Sequence, residues 1–300
     1  MWLKSPEPLM TLSVLEVETR MSVEVCILAS GSGGNCTVVR CPGGTMLIDA
    51  GLGPRNTAKR MNGTGVFVKD VAAICLTHLD SDHFSLEWTK TILEQNIKVF
   101  CHADGVSKLL ELSEAELSPQ LTGFTETFEP LPGLTVQPVA VAHDEKCCNG
   151  FVVELGDWRM GFATDLGHVP AELIREFKAL DVLAIESNYD PTMQVESARP
   201  VFLKNRIMGG RGHLSNEQAF DAVRQILDRH ERFGAPLPSH VVLLHRSRQC
   251  NCPKIVKKMF HRDARLVDRL TLAEQFQRSD WLRVRKLPPL IGEQLVLGWG

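Results

Sequence analysis

Thr77-His78-Leu79-Asp80-Ser81-Asp82-His83 directly follows the apolar stretch Val71–Leu76, which reads as a buried strand. Within six positions this run carries four side chains that can ligate a metal: His78, Asp80, Asp82 and His83. Imidazoles and carboxylates are the groups that hold divalent cations such as zinc and manganese. The run therefore predicts a metal site at the end of this strand, although a solvated loop can carry the same residue types.

Three further strand-like runs also end on a residue that can bind a cation: His143, Asp165 and His245. Ligand sites form beyond strand ends because loops there carry side chains on a rigid scaffold. A single histidine after a strand is usually a surface residue. Four strand ends together favour one shared site.

The composition describes an ordinary globular chain. Its 300 residues are 44% hydrophobic and 23% charged, and the net charge is -3. This balance excludes a strongly basic nucleic-acid binder as a description of the whole protein, but not a local basic groove. No apolar run approaches the roughly 20 residues of a membrane span. Without an export signal, the nine scattered cysteines indicate reduced thiols in a cytoplasmic protein.

The pattern of apolar runs predicts strands interleaved with helices. The clearest helix runs from Asn216 to about His230, where Ser215 is a good N-cap and Gln218 completes a capping box. Several strands are apolar throughout, as expected in a sheet that is covered on both faces. We therefore expect a layered α/β sandwich.

One domain is expected over residues 22–262. Residues 1–21 read as a loose arm, or as lying upstream of the true start at Met21. Residues 263–300 read as a C-terminal extension of uncertain structure.

The order of these segments resembles the metallo-β-lactamase superfamily, whose hallmark is a His-x-His-x-Asp-His loop followed by a later His, Asp and His. Further segments resemble the YycJ/WalJ-type branch of metal-dependent DNA exonucleases: Ala29–Asn35, Leu47–Gly51, Thr164-Asp165, Glu186–Asp190, Gly212–Asn216 and Leu244–Ser247. The resemblance covers roughly Ser22 to Pro253. It implies a four-layer αββα sandwich with a metal site along one edge.

The resemblance also implies a ligand set for two divalent metal ions, zinc or manganese. It assigns His78, Asp80 and His143 to the first metal, Asp82, His83 and His245 to the second, and Asp165 to the bridge between them. Asp80 stands where the family usually has a second histidine, and a carboxylate there favours manganese or magnesium relative to zinc. The alternative is that Asp80 only hydrogen-bonds its own loop.

Two such cations suit phosphodiester hydrolysis, because they activate a shared water and neutralise phosphate charge. Asp82 is the candidate to orient that water. His213, in a Gly-rich loop, is the candidate to contact the phosphate or protonate the leaving oxygen, unless it is simply a loop histidine held by backbone groups. Supporting or substrate-binding roles are expected for Asp49, Ser187, Asn188 and Asn251.

A second Gly-rich loop, Ser30–Asn35, is neither a P-loop nor a dinucleotide fingerprint. Its backbone amides could still meet a phosphate.

Three functions remain open from the sequence. The first is a dinuclear metal-dependent phosphodiesterase, a DNA exonuclease that uses metal-activated hydroxide. The second is a small-molecule hydrolase on the same fold, acting on a lactam, a thioester or a cyclic phosphodiester. The third is a degenerate, non-catalytic binding module, which only Asp80 favours. A nucleic-acid substrate would need basic side chains near the site, and the candidates are Lys204, Arg206, Arg211, Arg246 and Arg248.

Overall fold

The computed structural model describes residues 22–143 and 147–284. The arm expected over residues 1–21 and the end of the expected C-terminal extension, 285–300, lie outside the described residues. In the described part, fourteen strands form two sheets: β1 (Glu24–Ala29), β2 (Cys36–Cys41), β3 (Gly44–Ile48), β4 (Val71–Cys75), β5 (Lys98–His102), β6 (Leu121–Phe124), β7 (Phe128–Leu131), β8 (Leu134–Ala140), β9 (Asn149–Leu155), β10 (Trp158–Ala163), β11 (Val182–Glu186), β12 (His240–Leu244), β13 (Leu270–Leu272) and β14 (Leu282–Arg283).

Each sheet has seven strands, and half of the pairings between neighbouring strands are antiparallel and half are parallel. The first sheet has the order β14-β1-β2-β3-β4-β5-β6, and it becomes parallel from β3 onward. The second has the order β13-β12-β11-β10-β9-β8-β7, and it is parallel from β10 to β13. Because β8 is antiparallel to β9, and β9 to β10, the carboxyl ends of β8, β10, β11 and β12 meet at one edge.

Eight helices in the described residues complete the layers: α1 (Pro54–Met61), α2 (Trp88–Gln95), α3 (Val106–Leu112), α4 (Ala171–Glu176), α5 (Pro191–Glu196), α6 (Val201–Met208), α7 (Asn216–Arg232) and α8 (Pro253–Phe260). Helices α1, α2 and α3 pack on the first sheet, and α4, α7 and α8 pack on the second. The expected four-layer αββα sandwich is therefore confirmed. The expected capping box at the start of α7 is also present, with Gln218 N donating to Ser215 Oγ at 3.2 Å.

The continuous apolar runs follow from this layering. On β11, Val182 and Ala184 face the core between the two sheets, whereas Leu183 and Ile185 face the helices of the second sheet. Both faces of the strand are buried, so no polar residue alternates with the apolar ones. Burial of each large aliphatic side chain contributes about 1.5–3 kcal/mol.

Residues 263–284 contribute two strands to the sandwich. Strand β13 extends the second sheet beside β12, and β14 extends the first sheet beside β1. The apolar side chains of Ala273 and Leu282 enter the core between the sheets. Both strands lie in the segment that was expected to be a C-terminal extension, and two- and three-residue strands are too short to give a periodic sequence signal.

Two smaller observations bear on the sequence predictions. Across residues 22–143 and 147–284, none of the helices combines the length and the apolar character that a membrane span needs. All nine cysteines are free thiols, as the scattered spacing predicts.

Truncation tests the role of the C-terminal strands. A chain that ends after residue 262 loses β13, β14 and the core contacts of Ala273 and Leu282, and it should melt at least about 5 °C below the full chain. A matched chain that ends after residue 284 keeps every described contact and should melt above the chain that ends after residue 262. Thermal unfolding followed by circular dichroism measures both. Equal melting temperatures for the two truncations would contradict the assignment.

Candidate metal centre

The site lies where strand ends of both sheets meet. The His78–His83 loop follows β4 of the first sheet. The second sheet contributes His143 after β8, Asp165 after β10, Glu186 at the end of β11 and His245 after β12. The β4 loop and these strand ends together contain every residue that the resemblance assigns to the two metals. All are buried except Asp80 and Asp82, which are partly exposed.

The first triad consists of His78, Asp80 and His143. Asp80 Oδ2 lies 3.7 Å from His78 Nε2 and 3.9 Å from His143 Nε2. One ligand atom of each residue lies within 4.8 Å of the others. The Asp80 carboxylate thus stands beside both imidazoles, as a ligand would.

The second triad consists of Asp82, His83 and His245. Asp82 Oδ2 lies 3.7 Å from His83 Nε2 and 3.4 Å from His245 Nε2. These three residues also bring ligand atoms within 4.8 Å of one another.

Asp165 lies between the two triads. Its Oδ2 is 2.9 Å from His83 Nε2, and its Oδ1 is 4.0 Å from His143 Nε2 and 3.3 Å from His245 Nδ1. One carboxylate therefore contacts histidines of both triads, which is the bridging position that the resemblance implies.

The four histidines share one orientation. Each uses Nδ1 for an outer hydrogen bond: His78 to Thr77 Oγ1 at 3.0 Å, His83 to Asp49 at 2.8 Å, His143 to the Gly212 carbonyl at 3.0 Å and His245 to Glu186 at 3.2 Å. Each also has Nε2 within 4.0 Å of a carboxylate of the centre, and His245 Nδ1 lies 3.3 Å from Asp165 Oδ1 as well. This is the pattern of metal-binding histidines, whose outer partner fixes the tautomer and the ring orientation.

A buried nitrogen at the first triad tests whether the site fits a cation. His78 Nε2 is buried and has no hydrogen-bond partner among the described residues. Leaving such an atom unsatisfied costs about 1–3 kcal/mol, and a cation at the first triad would satisfy it. The donors, imidazole nitrogens and carboxylate oxygens, suit divalent zinc or manganese.

Residues 45–245 match the family described as the beta-lactamase superfamily domain, and this match spans more than half of the chain. The chain belongs to this superfamily. It is a hydrolase of that family, and the superfamily fold implies divalent metal ions at this edge of the sandwich.

Curated relatives and a solved structure extend the comparison. The chain is 24% identical over 241 residues to the exodeoxyribonuclease YycJ of Bacillus anthracis, which covers 79% of this chain and 87% of that protein. It is 24% identical over 259 residues to the exodeoxyribonuclease WalJ of Streptococcus pneumoniae, covering 85% of this chain and 88% of that protein. The metallo-beta-lactamase fold protein YhfI from Bacillus subtilis superposes with a TM-score of 0.62 at 13% identity, over 88% of this chain and 100% of that chain.

Asp49 and Thr77 support the second triad of this superfamily site. Thr77 N donates to Asp49 Oδ1 at 2.9 Å, and Thr77 Oγ1 lies 3.0 Å from both oxygens of that carboxylate. Asp49 is fully buried and in turn accepts the bond from His83 Nδ1. Asp49 thus has the supporting position expected for it, whereas Thr77 was not predicted.

The three other predicted supporting residues divide into two groups. Asn188 Nδ2 donates to the His245 carbonyl at 2.7 Å, so Asn188 holds the loop of a candidate ligand. Ser187 and Asn251 are buried and bond instead to Asn216, with distances of 2.8 Å from Ser187 Oγ and 2.9 Å from Asn251 Nδ2 to Asn216 Oδ1. They brace the start of α7 behind the site, and Ser187 has no exposed surface to offer a substrate.

Glu186 is, with Thr77, a site residue that sequence reasoning missed. It is fully buried, and its Oε1 lies 2.8 Å from His213 Nδ1 and 3.2 Å from His245 Nδ1. Its Oε2 accepts the amides of Leu166 and Leu214 at 2.7 Å and 3.2 Å. The available signal was its place as the last residue of a buried strand, the same rule that indicated His143 and Asp165.

His213 lies at the rim of this cluster. Its side chain is partly exposed, and its Nδ1 is 3.4 Å from Asp165 Oδ1 as well as close to Glu186. Its ring centroid is 5.3 Å from that of His143 and 5.1 Å from that of His245. His213 therefore lies beside the candidate ligands, and its Nδ1 faces carboxylate side chains.

The carboxylates dominate the electrostatics of the centre. Burial opposes a charged His83, but Asp49 and Asp165 override it and raise the pKa of His83 well above its usual range. Burial likewise opposes a charged His245, yet Asp165, Asp82 and Glu186 raise its pKa to about 10. At the other triad, burial and the neighbouring His83 hold the pKa of His78 well below its usual range. Protons on His83 and His245 thus balance carboxylate charge where cations would do so.

Three supporting or ligand positions have left-handed backbone. Asp49 has φ 60°, Asp165 φ 55° and His245 φ 51°. A non-glycine residue in this region costs on the order of 1 kcal/mol or more. Each lies immediately beyond a strand, and the strained turn directs its side chain into the centre.

The Ser30–Asn35 loop braces the site through its own hydrogen bonds. Gly31 N donates to Asn35 Oδ1 at 2.8 Å, Gly33 N to Gln275 Oε1 at 2.8 Å and Gly34 N to Gly31 O at 3.0 Å. These amides are already used within the protein, so the expectation that they meet a phosphate is not supported. Asn35 N instead donates to the Asp82 carbonyl at 2.7 Å and holds the second triad.

Glu186→Gln tests the missed residue. In the variant, the N–H of the side-chain amide would face groups that now donate hydrogen bonds to Glu186. A buried donor without an acceptor costs about 1–3 kcal/mol. We expect the free energy of unfolding in urea to fall by that amount and the affinity for Mn²⁺ to fall about 10–100-fold. Glu217→Gln, on the exposed face of α7, is the matched control. An unchanged Mn²⁺ affinity in the Glu186 variant would contradict its supporting role.

Cation binding should release protons. A histidine must lose its second proton to ligate, and the raised pKa values of His83 and His245 keep both protonated at neutral pH without a cation. Mn²⁺ affinity should therefore rise between pH 6 and pH 8, by up to about tenfold per pH unit for each displaced proton. Titration calorimetry in buffers of different ionisation enthalpy measures the release. A heat that does not depend on the buffer would contradict the charge assignment.

Proposed function

We propose that this superfamily hydrolase is a dinuclear metal-dependent phosphodiesterase that degrades DNA as an exonuclease. The observation that carries the proposal is Asp165, whose carboxylate contacts histidines of both triads. Such an arrangement suits a pair of cations, and paired cations are typical of phosphodiester hydrolysis. The likeness to two exodeoxyribonucleases over most of their length supports DNA as the substrate.

The residues proposed to hold the first cation are His78, Asp80 and His143. Those proposed for the second are Asp82, His83 and His245, with Asp165 shared. When bound, the cations supply Lewis-acid activation of water and neutralise charge on the phosphate. Asp80 in place of an imidazole makes the first site harder, so manganese is the proposed metal there in preference to zinc.

The chain's own side chains then orient water and move a proton. Asp82 reaches both His83 and His245 and is partly exposed, so its second oxygen can accept a hydrogen bond from the attacking water. His213 holds a proton at Nδ1 toward Glu186. Burial opposes the charged form of His213, but the Glu186 carboxylate overrides it and raises the pKa. A protonated His213 can contact the phosphate or donate its other ring proton to the leaving oxygen.

An arginine–aromatic pair beside the second triad favours a nucleic acid. The Arg248 guanidinium lies 4.6 Å from the ring centroid of Phe276, which is 64% exposed. Arg248 follows His245 by three residues, and the neighbouring Gln275 contacts the Gly-rich loop that braces Asp82. Exposed aromatic rings and arginine planes are the groups on which nucleobases stack.

Most of the other predicted basic residues serve the protein itself. Arg211 Nε and Nη2 donate to the His143 carbonyl at 3.2 Å and 3.1 Å. Arg246 pairs with Glu274 at 2.6 Å, and Lys204 Nζ donates to the Val195 carbonyl at 2.6 Å. The proposed substrate contacts therefore centre on Arg248, and replacement of Arg211 would also disturb a candidate ligand.

Degradation of end-labelled DNA tests the function. Purified protein with Mn²⁺ should shorten 5′-labelled single- or double-stranded DNA, and His83→Ala should reduce the rate at least about 100-fold because a ligand is lost. His261→Ala, on the exposed end of α8, is the matched control and should keep the full rate.

Parallel assays use bis-p-nitrophenyl phosphate, a chromogenic cephalosporin and a glutathione thioester. Hydrolysis of the cephalosporin or the thioester without any DNA degradation would replace the proposal with a small-molecule hydrolase.

A further inference from the structure

A cavity of about 590 Å³ opens beside the first triad. Its wall includes His78, together with Leu76, Leu79, Cys101, His102 and Lys108. His78 belongs both to the wall of the cavity and to the first triad, so the cavity adjoins the candidate metal centre. We call this cavity the His102 pocket.

The lining of the His102 pocket combines apolar and charged groups. Leu76, Leu79 and Cys101 are apolar, and Leu76 and Cys101, at the ends of β4 and β5, are buried. Lys108 from α3 and Asp104 from the turn before it are charged. A cavity with an apolar wall and a few polar groups is typical of a site for one small ligand.

The His102 ring is held in place by two neighbours. Its ring meets the ring of Phe124 edge to face, at 5.9 Å and 87°. Its Nδ1 accepts the backbone amide of Asp104 at 3.2 Å. A ring fixed in this way can pack against a planar ligand without a large loss of conformational entropy.

We propose that the His102 pocket binds the terminal nucleotide of the DNA strand whose scissile phosphate lies at the metals. The nucleobase packs between Leu79 and His102, Lys108 contacts a phosphate, and Asp104 accepts a hydrogen bond from a base amine or a sugar hydroxyl. This inference rests on the proposed function and deepens it.

The shape of the pocket gives a physical reason for exonuclease action. Its volume lies within the range of about 300–1,000 Å³ of sites that hold one small ligand, and its lining includes the buried Leu76 and Cys101 at the ends of β4 and β5. In this proposal a strand enters the pocket with its last nucleotide and ends there. A chain without an end has no nucleotide to place there.

The binding test uses deoxyadenosine monophosphate as the probe and the full chain loaded with Mn²⁺. In titration calorimetry, Lys108→Ala and His102→Ala should each weaken binding of the probe at least about fivefold. Lys108 is on the exposed face of α3, so its replacement should not prevent folding. Lys90→Ala, with a side chain that is 84% exposed on α2, is the matched control and should bind as the unaltered protein does.

The activity test compares two substrates. Lys108→Ala should lower the ratio of DNA degradation to bis-p-nitrophenyl phosphate hydrolysis at least about fivefold, because only DNA offers a nucleotide to the pocket. Linear single-stranded DNA should be degraded, and a circular single strand of the same sequence should persist.

Three results would overturn the inference. The first is an unchanged affinity for deoxyadenosine monophosphate in both variants. The second is cutting of the circular strand at the rate of the linear one. The third is a metal content of three ions per chain in the unaltered protein that falls to two in His102→Ala. The last would assign His102, Asp104 and Cys147, whose ligand atoms lie within 4.8 Å of one another, to a metal instead. If the unaltered protein cleaves no phosphodiester, the proposed function fails, and the probe titration still decides whether the pocket binds a nucleotide.

Discussion

The Asp165 carboxylate, buried between histidines of both triads, is the contact on which the rest of the centre depends. It meets His83 from the first sheet and His143 and His245 from the second. Burial alone opposes its charge, but His245 and His83 hold its pKa well below its usual range. A buried carboxylate stays ionised only when it is paired with a positive group or binds a cation. The two sheets therefore meet at this edge around a charge that requires positive partners.

The rest of the edge can be understood as support for that arrangement. Asp49 and Glu186 each take the outer nitrogen of a histidine, and Asn188 and Arg211 bond the backbone of two ligand loops. The site also has different surroundings on its two sides. The His102 pocket adjoins the first triad, and the pair of Arg248 and Phe276 stands near the second. The proposal of a polymer substrate with a free end rests on these two surroundings.

Local sequence was sufficient for most of the fold and for the candidate ligands. His143, Asp165 and His245 were predicted because each follows a long apolar strand, and strand ends of a layered sheet converge. Glu186 follows the same rule, but it is itself the last residue of β11, and its role depends on His213, which lies 27 residues later in the chain. No local pattern reports such a contact.

The C-terminal strands and the Gly-rich loop show the same limit. Gln275 accepts the Gly33 amide across 242 residues of sequence, and β14 pairs with β1 over only two residues. Their positions are set by the sheets they join. The amides of Gly31 and Gly34 bond within the loop and that of Gly33 bonds to Gln275, so the expectation that these amides meet a phosphate is not supported.

A crystal structure of the Mn²⁺-loaded protein, with anomalous scattering data collected at the manganese edge, tests the central claim most directly. The account predicts two anomalous peaks per chain, one about 2.0–2.3 Å from His78 Nε2 and His143 Nε2, the other at a similar distance from His83 Nε2 and His245 Nε2, with Asp165 between them. A single peak, or peaks that leave Asp165 without a contact to either ion, would contradict it.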